Sequence, residues 1–139
     1  MGTKAFDKVD HSLLIRKLIK YGINPQVIQW IQSFLSCRTQ QVVIDGQKSA
    51  TAPIISGVPQ GTVLGPILFL IFINDITECI TSSTIRCFAD DTRICNAIRC
   101  EQDVTTLQSD LNLVIHWSCK NNMTLHENKF QYMCHTVSK

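Results

Sequence analysis

Apolar residues recur at helical spacing in three stretches of the 139-residue chain. Leu14, Ile15, Leu18 and Ile19 mark one face of a helix over 10–20, and Gly22 in "KYGIN" supplies its stop. In "NPQVIQWIQSFL", Asn24 is placed to cap and Pro25 to open a second helix. Its apolar side carries Val27, Ile28, Ile31, Phe34 and Leu35. Val104, Leu107, Leu111, Val114 and Ile115 predict an amphipathic helix over 101–121. A different pattern, "VLGPILFLIFI" (63–73), is apolar on every side. Its eleven residues reach only about half a membrane span, so it predicts the start of a buried helix running over 63–80.

Strand-like runs fill the intervals. "TQQVVIDGQKSATAPII" (39–55) predicts two strands joined around Asp45-Gly46, a favoured hairpin pair. Two short strands, 85–89 and 93–97, flank Asp90-Asp91, and "FQYMCHTV" within 130–137 predicts a closing strand. No repeat, linker or low-complexity tract divides the chain. Residues 1–139 read as one mixed α/β (α+β) domain with antiparallel pairing, because hairpins supply its strands.

Composition adds limits. Hydrophobic residues make up 45% and charged residues 17%, which places the chain among ordered globular proteins. The net charge of +2 is unevenly spread: +4 over 1–48, −2 over 49–98, and balance over 99–139. A basic end beside an acidic centre suits a polyanion held near bound cations. Seven cysteines form no Cys-x-x-Cys, and no charged-then-apolar leader precedes them. Free thiols inside the cell, in cytoplasm or nucleus, are therefore expected rather than a secreted disulfide scaffold. His116, Cys119, His126, Cys134 and His135 lie close in sequence but lack the second close-spaced pair of a structural zinc site.

Four features carry candidate chemistry. Asp90 and Asp91 place two carboxylates together, where unit charges ~4 Å apart repel by roughly 4 kcal/mol at an effective dielectric near 20. A divalent cation relieves that repulsion most directly, and Mg²⁺ prefers a few carboxylates with phosphate oxygens and waters. The loop "SGVPQGTVLGP" (56–66) holds three Gly and two Pro, so its backbone amides can approach a phosphate or sugar, with Gln60 as a polar arm. Composition alone leaves open a tight connection before a buried helix. "KAFDKVDH" (4–11) sets Phe6 beside two acids, of which Asp7 or Asp10 can cap the next helix. Lys129 precedes the last strand-like run.

"KAFDKVDHSLLIRKL", "SGVPQGTVLGPILFLIFINDI" and "FADDT", in this order and at about these distances, resemble the reverse transcriptases of non-LTR (LINE-type) retrotransposons. The resemblance covers nearly the whole chain. It implies a polymerase palm-like antiparallel sheet packed on helices, truncated so that fingers, first palm strand and thumb fall outside. It also implies RNA-directed DNA polymerase chemistry, with an RNA template, a DNA primer and a dNTP as partners, two Mg²⁺ ions as cofactor and no membrane. By position, Asp90 and Asp91 match the catalytic, metal-binding pair, with Asp90 the direct Mg²⁺ ligand. Gln60 and Gly61 match nucleotide-contacting positions, Phe6 the aromatic gate against the sugar, and Lys129 the lysine proposed to protonate pyrophosphate. His126 stands where the family favours Asn, and Phe130 where it favours Thr.

The family's first motif runs Asp-x-x-x-Ala-Phe-Asp, which puts its metal-binding Asp at position 1, where this chain has Met. The 139 residues alone are therefore expected to be inactive as a polymerase. Without the first palm strand, an open hairpin edge is expected to make them poorly soluble. The alternative is a non-enzymatic retroelement remnant, or a module repurposed to bind nucleic acid or protein. Another palm polymerase, from a group II intron or an RNA virus, matches the Gly/Pro loop less well.

Overall fold

Asp10 opens the first helix, α1 (His11–Lys20), by accepting a hydrogen bond from Leu13 N at 2.9 Å. The computed structural model describes residues 5–89 and 91–135. Gly22, at φ +72°, ends α1 in the left-handed conformation that favours glycine. Asn24 accepts from Gln26 N at 2.8 Å and Pro25 fills the first turn of α2 (Pro25–Leu35), as its sequence predicts.

The buried face of α1 differs from the one its apolar residues mark. Leu14 and Leu18 are buried, but Lys17 lies between them and Ile19 points outward. The helix is turned so that the Lys17 ammonium reaches a partner across the core.

The 39–55 region is one long hairpin broken in its middle. Strands β1 (Thr39–Gln40) and β4 (Ala52–Pro53) pair antiparallel, as do β2 (Val43–Ile44) and β3 (Gln47–Lys48) around Asp45-Gly46. Between the two ladders, Ser49 Oγ accepts from Val42 N, replacing a regular backbone bond.

Helix α3 (Leu64–Ile73) buries Leu68, Phe69, Phe72 and Ile73. The expected continuous helix to residue 80 does not form, because the chain tightens into a 3-10 segment, Asn74–Glu78. The Phe72 carbonyl at that junction accepts from Lys17 Nζ at 2.6 Å, which satisfies a group the change of helix type frees. Strands β5 (Thr84–Phe88) and β6 (Asp91–Cys95) form the second hairpin, offset from the expected 85–89 and 93–97. Their register pairs Phe88 with Asp91, leaving a two-residue turn. Ile85 and Ile94 pack against the core from one face.

Helix α4 (Glu101–Lys120) starts as expected, with Asp103 Oδ2 accepting from Arg99 N and Cys100 N. Its buried stripe is Asp110, Val114, Trp117 and Ser118, so Val104 and Ile115 face solvent. Asp110 Oδ2 accepts from Ser83 N at 2.7 Å and ties α4 to the entry of β5. The closing strand is not found: residues 130–135 carry no strand, and 136–137 lie outside the described residues. The core joins α1, α2, α3 and α4 through Leu14, Leu18, Ile31, Phe69, Phe72 and Trp117.

Candidate active site

The Gly/Pro loop is held against residues 6–9 by a run of hydrogen bonds. Gly57 N donates to Val9 O at 2.8 Å, Val58 N to Phe6 O at 2.9 Å, and Ser56 Oγ to Asp7 O at 2.8 Å. His11 Nε2 bonds the Gly57 carbonyl at 2.7 Å. Gly57 sits at φ +90°, and a Cβ there would lie 2.7 Å from Asp7 Cα. Only glycine allows the two backbones to approach this closely. At the next bend, Thr62 Oγ1 donates to Pro59 O and accepts from Gly65 N, while a Cβ on Gly65 would collide with Pro59 O.

This docking brings together three of the expected nucleotide-contacting residues. Phe6 is half-buried and stacked on Phe69, centroids 4.2 Å apart at 18°. Gln60 is exposed, and its Nε2 donates to Asp7 Oδ1 at 3.0 Å. Gly61, also exposed, takes φ +78° with open space around its Cα. Asp7 therefore tethers Gln60, and Asp10 is the acid that caps α1.

Of the acidic pair at the hairpin tip, Asp91 is the member within the described residues. Asp91 opens β6 opposite Phe88, whose side chain is 85% exposed. Ala89 takes φ +50°, a left-handed conformation that costs an L-residue roughly 1–2 kcal/mol. Asp90 lies outside the described residues. Lys129 ends the 3-10 turn Glu127–Lys129 and is exposed. Among the described residues, no hydrogen bond or ion pair joins Asp91 or Lys129 to the Phe6–Gln60 group.

Asp91 has the hard oxygen donors that Mg²⁺ takes. Among the described residues, however, no three His, Cys, Asp or Glu side chains cluster as a metal site. The part of the donor set in view is thus one carboxylate on a solvent-facing turn.

A buried polar network was not anticipated. Lys17 Nζ donates to Asp75 Oδ1 at 2.7 Å and lies over the Phe72 and Trp117 rings, 4.5 and 5.0 Å from their centroids. Trp117 Nε1 donates to the same Asp75 oxygen at 2.9 Å. Burial pushes the Lys17 pKa down, and the Asp75 carboxylate partly offsets it. The signal was a lysine inside the stripe Leu14, Leu18 and an aspartate two residues past the end of an apolar run. At the start of α1, the Leu13 N–H holds the Asp10 carboxyl below its ordinary value.

A family model described as reverse transcriptase (RNA-dependent DNA polymerase) matches residues 3–138. The RNA-directed DNA polymerase from mobile element jockey of Drosophila melanogaster is 36% identical over 134 residues, covering 91% of this chain and 14% of that protein. A probable RNA-directed DNA polymerase from transposon X-element, also of Drosophila melanogaster, is 29% identical over 98% of this chain and 15% of its own length. Over 52% of the chain, the Pol polyprotein from retrotransposable element R2 of Popillia japonica is 32% identical. The chain thus spans about one seventh of the length of the first of these relatives. With the match running through the docked loop and the acidic hairpin alike, the chain belongs to the reverse transcriptase (RNA-dependent DNA polymerase) family.

Proposed function

We propose that this chain forms the palm segment of an enzyme that copies RNA into DNA, acting inside the cell on an RNA template, a DNA primer and a dNTP. The observation that carries the reading is the docking of loop 56–62 on residues 6–9. It bonds the Phe6 carbonyl to Val58 N and the Gln60 amide to Asp7, next in sequence to Phe6, with Gly61 in the left-handed conformation directly after Gln60. These groups match in kind what a nucleotide presents: a sugar face, hydrogen-bonding base edges and phosphate oxygens.

Phe6 is fixed by Phe69 behind it, so its remaining exposed surface can exclude a sugar hydroxyl without rotating away. Gln60 is restrained by Asp7, which limits the entropy it loses on contacting a ligand. Asp90 and Asp91 would hold Mg²⁺, which when bound supplies Lewis-acid activation and charge neutralisation for phosphoryl transfer. Lys129 would donate a proton to the departing pyrophosphate.

The test is a chimera in which residues 3–138 replace the matching segment of the jockey polymerase. RNA-templated DNA synthesis is expected to survive the exchange and to vanish with Asp91→Asn or Asp90→Asn. A folded chimera that incorporates no nucleotide would overturn the reading. The 139-residue chain by itself, which spans about one seventh of the jockey polymerase, is expected to give no primer extension in Mg²⁺.

A further inference from the structure

The β5–β6 register sorts the hairpin's side chains onto two faces. Ile85, Ile94 and Thr92 are partly buried on one. On the other, Thr84 pairs with Cys95, Arg86 with Arg93 and Phe88 with Asp91, and all six are exposed. Arg86 and Arg93 are thus directly opposed, and they are the only basic residues between 49 and 98. Like charges directly opposite each other destabilise a strand pair. Among the described residues, neither guanidinium forms a hydrogen bond or ion pair. Two guanidiniums carried at directly opposed positions on an exposed sheet face are matched by an anion that accepts from both, as a phosphodiester can.

We propose that Arg86 and Arg93 form a phosphate clamp for the backbone of a nucleic-acid strand lying across this face of the hairpin. The clamp deepens the polymerase reading and rests on it for the choice of nucleic acid over another polyanion. Spacing supports the choice. The arginine pair lies two residues along each strand from Phe88 and Asp91, roughly 7 Å at strand rise. A nucleic-acid strand advances about 3.4 Å per phosphate along a duplex axis, so the clamp stands about two nucleotides from the hairpin tip. It would position the strand without reading its sequence.

The test is fluorescence anisotropy of the full 139-residue chain with a labelled RNA–DNA primer–template duplex, across 50–200 mM salt. Arg86→Gln/Arg93→Gln is expected to lower the slope of log affinity against log salt by about two. The ratio of wild-type to variant affinity then shrinks about tenfold over that salt range. Arg86→Lys/Arg93→Lys keeps both charges and should restore the slope, which a loss of folding would not allow. Absence of duplex binding at 50 mM salt, an unchanged slope in the Gln variant, or equally tight and arginine-dependent binding of poly-glutamate would overturn the clamp. Because binding is read without polymerisation, an inactive chimera would sink the enzymatic reading alone, and an unchanged slope in a chain whose chimera is active would sink the clamp alone.

Discussion

Two acids three residues apart, Asp7 and Asp10, have opposite fates because of which backbone groups they meet. Asp10 meets the open N–H groups of α1 and accepts from Leu13 N, whereas Asp7 accepts from a side chain, Gln60. The capping bond depresses the Asp10 pKa below its ordinary value in the folded chain, with Asn122 adding a second donor. A depressed carboxylate pKa contributes stability that is fully present above the unfolded value and lost as pH falls through the folded one. Asp10→Ala is expected to cost about 1 kcal/mol at pH 7, read from urea unfolding. Asp10→Asn keeps a cap without the charge, so the gap between it and the native chain should close as pH falls from the ordinary carboxylate value through the lowered folded one. Lys17 obeys a harsher rule because its ammonium is buried against Phe72 and Trp117. Lys17→Met leaves the Asp75 charge and the Phe72 carbonyl short of a donor and is expected to cost about 3 kcal/mol. Lys17→Met/Asp75→Asn should recover part of that loss, since it removes the stranded charge while Trp117 Nε1 keeps an acceptor. Equal stability of the single and double variants would show that the pair is not coupled.

Elements were legible wherever local chemistry decides them. Asn24-Pro25 opens α2 and Asp45-Gly46 turns the β2–β3 hairpin, because capping and turn preferences act within a few residues. What escaped was decided across the core. Lys17 rotates α1 away from Ile19 and meets α3 where it tightens into the 3-10 segment, and no periodicity in α1 announces a partner 58 residues away. The run at 130–135 alternates like a strand, yet no neighbouring strand pairs with it among the described residues. The candidate site was legible as residues but not as an arrangement: Phe6 and Gln60 were read singly, and Asp7, which tethers Gln60, was read as a helix cap or family position. Glycines test that arrangement. Gly57→Ala places a Cβ against the Asp7 backbone at φ +90° and is expected to cost more than about 2 kcal/mol. Gly61→Ala meets nothing within 4 Å and should cost only the left-handed conformation, about 1 kcal/mol. Should the two variants unfold at the same urea midpoint, close backbone approach is not what docks the loop.

At the scale of the whole molecule, burial and pairing are unequally shared. The helices enclose Phe69, Phe72 and Leu68 completely, whereas the sheets among the described residues are three separate two-stranded pairs. Every strand in such a pair has one edge with free N–H and C=O groups, and a lone two-stranded hairpin is marginal in water. The β2–β3 hairpin adds apolar side chains to its open edges: Val42, Val43 and Ile44 are 61%, 57% and 66% exposed. Exposed edges and β-branched residues together favour strand addition between copies. The chain is therefore expected to self-associate at micromolar concentration, which light scattering after size exclusion would register as mass rising with concentration. Ile44→Lys puts a charge on that edge without touching the helical core, so it should lower the associated fraction and leave the far-ultraviolet helical signal unchanged. If instead association is driven by a loosened core, the substitution changes nothing and the near-ultraviolet signal of Trp117 is already weak in the native chain. A concentration-independent monomer mass would show that both sheet edges and exposed apolar residues are tolerated in this chain, against the behaviour that its open hairpins dictate.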